Sequence, residues 1–184
     1  MAIYKCIMCG ANLHTIEGCS IVVCDYCEVE QTVPKDNNEK KVRLFTRGDD
    51  YLFHCEFGKA SGIYESIIVD FPEEAEAYWK LVLCKYGIQY VDDPITAKKI
   101  PTCNRLSYES IFDDSDYKMA IKYADAKARE VYFNNAKIIE NIRKTIIKTS
   151  VKAEPYDVFI CYKETDHNGR RIQDSVLATE LYDE

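Results

Sequence analysis

A chain of 184 residues, 47% apolar and 12% aromatic, carries enough apolar side chains to bury a sizeable core in one ordinary domain or a few small ones. Its formal charge of −7 disfavours a nucleic-acid binder, which needs a basic footprint. No apolar run approaches the ~20 residues of a membrane span, and none follows a basic start as an export signal does, so nine cysteines point to a reducing, cytoplasmic setting rather than a disulfide framework.

The first predicted element is built on two cysteine pairs, Cys6-x2-Cys9 and Cys24-x2-Cys27, separated by fourteen residues. A Cys-x2-Cys turn aims two thiolates at one point about 2.3 Å from a cation, and a second such turn closes the tetrahedron without a position for water. Gly10 follows the second ligand, and the apolar run Ile21 to Val23 leads into the third. The pattern resembles a zinc ribbon over residues 1–35, with structural zinc held by Cys6, Cys9, Cys24 and Cys27. A segment this short needs a metal or crosslinks to fold, and buried thiols or two disulfides are the alternative. Cys19 lacks a partner at this spacing and reads as a free thiol. His14, between the pairs, replaces a cysteine only if one pair fails. Cys55, Cys84, Cys103 and Cys161 read as small hydrophobes.

The polar stretch Pro34 to Asn38 marks a boundary, with Asn38 placed as the N-cap of a helix starting at Glu39. Lys40, Lys41, Arg43 and Arg47 then form a basic cluster, read as the solvated face of that helix. With Lys41 as position one of a 34-residue unit, Gly48, Tyr51, Phe57, Ala60, Tyr64 and Pro72 fall at the small, aromatic and proline positions of a tetratricopeptide repeat, which the segment resembles. Gly48 and Ala60 are expected to let two antiparallel helices approach, Tyr51 and Tyr64 to fill their seam, and Pro72 to end the second. An ordinary helical pair with the same aromatics as core remains the alternative. A third helix is predicted from Glu73 to Gly87, with Tyr78, Leu81, Val82 and Lys85 on a mixed face beside Trp79.

Turn signals at Asp92-Asp93-Pro94 and Ile100-Pro101-Thr102 predict a loop or short hairpin over Val91 to Asn104. From Asp116 the helical period returns in Tyr117, Ile121, Ala124, Ala128, Val131, Ile138, Ile142 and Ile146. This predicts a helix of roughly thirty residues, interrupted near Asn134-Asn135, acting as a spacer at the end of a helical region over 39–150. The stripe is not a clean heptad, but self-association through it stays open.

After Ala153-Glu154-Pro155 the period becomes extended. Tyr156 to Tyr162 reads as a strand buried on both faces, followed by the polar loop Lys163 to Arg171 and an amphipathic helix carrying Ile172, Val176, Leu177 and Leu181. This aromatic-Asp-x-Phe-Ile-x-Tyr strand, with Asp174 in the next helix, resembles the opening box of Toll/interleukin receptor (TIR) domains. The order of cysteine ribbon, helical middle and terminal box is similar to bacterial TIR domain-containing proteins. The fold class expected is multidomain α+β: a zinc ribbon, tetratricopeptide-like helices, and over 155–184 the first strand and helix of a flavodoxin-like TIR sheet.

The resemblance implies signal transduction through protein partners or self-association, with NAD+ as the substrate of a complete parent whose catalytic glutamate lies further along the domain. Glu164 and Glu180 do not match that position, so no catalytic residue is assigned within these residues. Asp166, Asn168 and Arg170 are candidates for one wall of a nucleotide site, since such ligands bind beyond the carboxyl ends of the strands. A first strand without its neighbours and a helix reaching Glu184 without a stop lead to the expectation that the sequence is part of a longer protein. The alternative is a zinc-ribbon and helical-repeat adaptor that binds a protein partner without enzymatic activity. His14, His54 and His167 make no triad spacing, and the seven glycines form no phosphate-cradling loop.

Overall fold

The structure is a computed structural model that describes residues 3–15, 18–35, 38–96 and 98–152. Four short strands come first: β1 (Ile3–Lys5), β2 (Asn12–His14), β3 (Ile21–Val23) and β4 (Glu30–Thr32). Helices α1 (Glu39–Phe53), α2 (Phe57–Asp70) and α3 (Ala75–Lys85) follow, then β5 (Ile88–Asp92), β6 (Lys99–Cys103), α4 (Ser115–Tyr123) and α5 (Ala126–Lys152). The strands pair as three antiparallel hairpins, β1 with β2, β3 with β4 and β5 with β6. The result is a mixed helix-and-sheet arrangement of the α+β kind. The chain divides into two compact units, Met1–Ser150 and Val151–Glu184, and the second lies almost entirely outside the described residues.

Asn38 caps α1 as its sequence position predicts. Its side-chain oxygen accepts from the backbone N–H groups of Lys40 and Lys41 at 3.0 and 3.2 Å, satisfying two of the orphan donors of the first turn. Helices α1 and α2 run antiparallel, for Lys40 in the first turn of one pairs with Asp70 in the last turn of the other at 2.7 Å. Their seam is close at Gly48, where an added Cβ would lie 2.7 Å from the ring of Tyr64. Tyr64 cannot easily retreat, because its hydroxyl donates to Asp49 Oδ1 at 2.7 Å and its ring tilts against Phe45. Ala60, Tyr64 and Ile67 are fully buried on the facing side.

Gly48→Ala should therefore destabilise the protein by about 1–3 kcal/mol, the range for overpacking a filled core. Gly62→Ala, in open space on the same hairpin, should be neutral or stabilising because alanine loses less backbone entropy on folding. Thermal melts of the two variants check this contrast, and equal melting temperatures would refute it.

Two expectations for α1 need correction. Tyr51 does not fill the seam but is half-buried on its flank, with Arg47 5.7 Å and Lys59 5.4 Å from its ring. Phe45, Gly48, Asp49 and Leu52 hold the inner face instead. Nor is the whole basic cluster solvated. Lys40, Arg43 and Arg47 are exposed, but Lys41 shares the stripe of Phe45 and Gly48 and is buried. Its ammonium lies 2.6 Å from Glu74 and 4.6 Å over the ring of Phe71, which makes burial of the charge tolerable.

Helix α3 is central rather than mixed-faced, since every residue from Glu76 to Cys84 is buried. Gly87, at φ +61°, ends this turn of chain, and a Cβ there would meet Arg105. The region predicted as loop or hairpin is the hairpin β5–β6, which begins earlier, at Ile88 paired with Cys103.

The long helix predicted from Asp116 is two helices. The break falls at Ala124 and Asp125, not near Asn134-Asn135, which lie inside α5. Ala124 is extended, and the Asp125 carboxylate restarts the helix by accepting from Ala128 N–H at 2.9 Å. The buried stripe also differs. Ala128, Tyr132, Ala136 and Ile139 face the core while Ile138 is exposed, and Tyr132 stacks on Trp79 with ring centroids 5.1 Å apart.

Candidate metal centre

Two hairpins of one design place the cysteines. In the first, Cys6 N–H donates to Ala11 O and Gly10 N–H to Cys6 O, both at 2.8 Å. Eighteen residues later the pattern repeats: Cys24 N–H donates to Val29 O at 3.1 Å and Glu28 N–H to Cys24 O at 2.9 Å. Gly10 and Glu28 occupy the same position in the two turns, and both have positive φ, +75° and +57°. Such a turn bends the chain just after its second cysteine, so that both sulfurs of a pair face one point.

The four sulfurs meet. Cys6 Sγ lies 3.7 Å from Cys27 Sγ, and Cys9 Sγ lies 3.7 Å from Cys24 Sγ, with all four within 4.8 Å of one another. A tetrahedron with metal–sulfur bonds of about 2.3 Å has edges of about 3.8 Å, so the cluster is compatible with a metal such as zinc. It is not a pair of disulfides, whose sulfurs would be about 2.05 Å apart. Cys6 and Cys24 are buried, and Cys9 and Cys27 half-buried.

Burial pushes the Cys27 thiol up to about 12 and raises that of Cys9. It also acts on Cys24, but there the backbone N–H groups of Cys27 and Tyr26 prevail and the net shift is downward. Four thiolates this close need a cation to offset their charge. A metal taken up here would displace thiol protons, so its affinity would rise with pH.

Other groups address the cluster from outside. Gln31 is buried on β4, and its amide donates to Cys6 Sγ at 3.0 Å while its carbonyl oxygen accepts from Ile7 N–H at 3.2 Å. It thereby clips the second hairpin to the first. Lys99, paired with Asp92 at 2.9 Å, is held protonated first by that hydrogen bond and further by the charges of Cys9 and Cys27. Lys80 stays protonated against the effect of burial because Asp49, Glu76 and then Cys6 act on it. A cleft of about 770 Å³, lined by Cys9, Tyr26, Cys27, Asp92, Lys98 and Lys99 among others, gives the half-buried pair access to solvent.

Cys6, Cys9, Cys24 and Cys27, the four predicted ligands, are thus brought together. His14 is exposed on β2 opposite Ile3 and is not part of the cluster. Cys19 is exposed, Cys84 is buried, and Cys55 and Cys103 are half-buried. The strand Tyr156 to Tyr162, Cys161 within it, and the nucleotide-site candidates Asp166, Asn168 and Arg170 lie outside the described residues. Gln31, Lys80 and Lys99 were not singled out from sequence. For Gln31 a signal existed: at the eighteen-residue offset it stands where the first hairpin has Leu13, a polar residue replacing an apolar one at a buried position.

No family model, curated protein or solved structure matches the chain. No helix among the described residues is long and apolar enough to cross a membrane.

Proposed function

We propose that this chain is the amino-terminal part of a cytoplasmic TIR signalling protein, in which a zinc ribbon and tetratricopeptide-like helices recognise a protein partner and the TIR module supplies the output. The observation that carries the reading is the box Tyr156-Asp157-Val158-Phe159-Ile160-Cys161-Tyr162 with its polar loop and amphipathic continuation. Zinc is the metal assigned, since four thiolates closed around one point suit that ion in a structural role. The close seam at Gly48 and Tyr64 supports a repeat-like helical pair. In the complete protein, NAD+ is the substrate of the TIR part.

The experiment is to purify the product of the complete reading frame together with residues 1–184, and to follow nicotinamide release from NAD+ and zinc content. Nicotinamide is expected from the complete product alone, with one zinc per chain in both. A complete product that leaves NAD+ intact would sink the enzymatic part of this reading.

A second reading, an adaptor without enzymatic activity, is favoured by the exposed apolar side chains Val23 and Tyr26 in the second hairpin and Ile95 in the β5–β6 turn. Large apolar side chains left in solvent can serve as anchors for a protein partner. Loss of partner capture on Tyr26→Ala, with zinc retained, would support it.

A further inference from the structure

Strand β4 faces two ways, because successive side chains of a strand point to opposite sides. Gln31 reaches Cys6 Sγ at 3.0 Å. The next residue, Thr32, is also buried, and its hydroxyl engages the Glu76 carboxylate of α3 and the Tyr132 hydroxyl of α5. Tyr132 donates to Glu76 Oε2 at 2.7 Å. Lys80, one turn further along α3, bridges Glu76 at 3.6 Å to Asp49 of α1 at 2.9 Å. Asp49 in turn holds Tyr64 of α2. Buried polar contacts therefore lie on both faces of β4: Gln31 reaches one sulfur of the metal centre on one side, and Thr32, its covalent neighbour, joins a set spanning four helices on the other, while no buried side-chain nitrogen or oxygen among the described residues lacks a partner.

We propose that Gln31 and Thr32 couple metal occupancy to the packing of the helical core, Gln31 positioning the Cys6 sulfur and Thr32 transmitting its position to α3 and α5. The inference rests on the reading of the four cysteines as a metal centre. Buried polar networks rigidify a core when fully satisfied, and a member left unpaired is costly. Loss of the metal frees Cys6, which releases Gln31 and shifts β4 away from Glu76. By linkage, whatever the metal does for the helices, the helices do for metal affinity.

The chain contains one tryptophan, and it is well placed to report. Trp79 is buried next to Lys80 and stacks on Tyr132. The experiment uses the full chain loaded with Co2+, whose thiolate charge-transfer absorption follows the centre while Trp79 emission follows the core. On titration with a chelator, both signals are expected to change with one midpoint. Loss of the thiolate band with unchanged Trp79 emission would overturn the coupling and leave the metal reading standing. Failure to bind Co2+ or Zn2+ at all would overturn both.

Two substitutions sharpen the test. Gln31→Leu, which installs the residue of the equivalent position in the first hairpin, should weaken metal affinity about 10–100-fold, as outer-shell changes do. Thr32→Val keeps the side-chain shape but removes a hydroxyl that bonds to helices and not to a cysteine. It should weaken metal affinity in the same direction, with the metal-saturated form retaining wild-type Trp79 emission. Wild-type affinity in Thr32→Val would show that the helices do not sense the centre through β4.

Discussion

Cys24→Ser is expected to abolish stoichiometric metal binding and to unfold the two cysteine hairpins. Cys24 is buried, its sulfur lies 3.7 Å from that of Cys9, and it accepts N–H bonds from Tyr26 and Cys27. Serine retains the shape but offers a poorly ionised hydroxyl where a thiolate is needed. With three sulfurs the metal loses far more than the roughly 100-fold that a missing outer contact costs. The hairpins have strands of three residues each, too short to persist alone, and in metal-dependent modules binding energy is folding energy. Cys19→Ser supplies the contrast: this thiol is exposed, and its loss should stay within about 0.5 kcal/mol. Metal analysis of both purified variants, with amide exchange of β1 to β4, checks the expectation. A Cys24→Ser protein that still carries one metal per chain would show that the cluster is not a metal site.

The convergence of the four cysteines was legible because cysteine pairs in a fixed turn geometry encode it, and two copies of the turn eighteen residues apart state it twice. Helix existence was legible for the same local reason, as with the Asn38 cap. What surrounds the centre was not. Lys41, Lys80 and Gln31 are polar and read as surface by residue type, yet all three are buried. Their partners lie far along the chain: Glu74 for Lys41, Asp49 for Lys80, Cys6 for Gln31. Only the tertiary fold brings those neutralising groups near. The register of α5 failed differently. Val131, Tyr132 and Phe133 are adjacent, as are Ile138 and Ile139, so two apolar stripes one residue apart fit the same sequence. The pairing of Tyr132 with Trp79 and Glu76 selects between them.

Lys80→Met is the second change expected to have a large effect. The ammonium lies 2.9 Å from Asp49 Oδ1 and 3.6 Å from Glu76 Oε1, and all three side chains are buried. Methionine fills the space but leaves two carboxylates without a counter-charge. Removing one partner of a buried ionic cluster typically costs about 3–5 kcal/mol, a large part of the roughly 5–15 kcal/mol that holds a domain folded.

The loss should also depend on pH in a defined direction. Burial pushes the Glu76 carboxyl up to about 6 from an ordinary 4.5, against the attraction of Lys80. A carboxyl raised in this way binds its proton more tightly when folded. Its ionisation therefore takes away stability as the pH climbs from its unfolded value through its folded one. Without Lys80 the opposing attraction disappears, the folded-state value moves higher, and the penalty at alkaline pH grows. Below the unfolded value the proton is bound in both states and the penalty vanishes. The gap between wild type and Lys80→Met should thus be smallest near about pH 5 and widest near about pH 8. Urea unfolding midpoints of the metal-loaded proteins at the two pH values measure it. An equal gap at both would mean that Glu76 does not carry the charge that Lys80 neutralises.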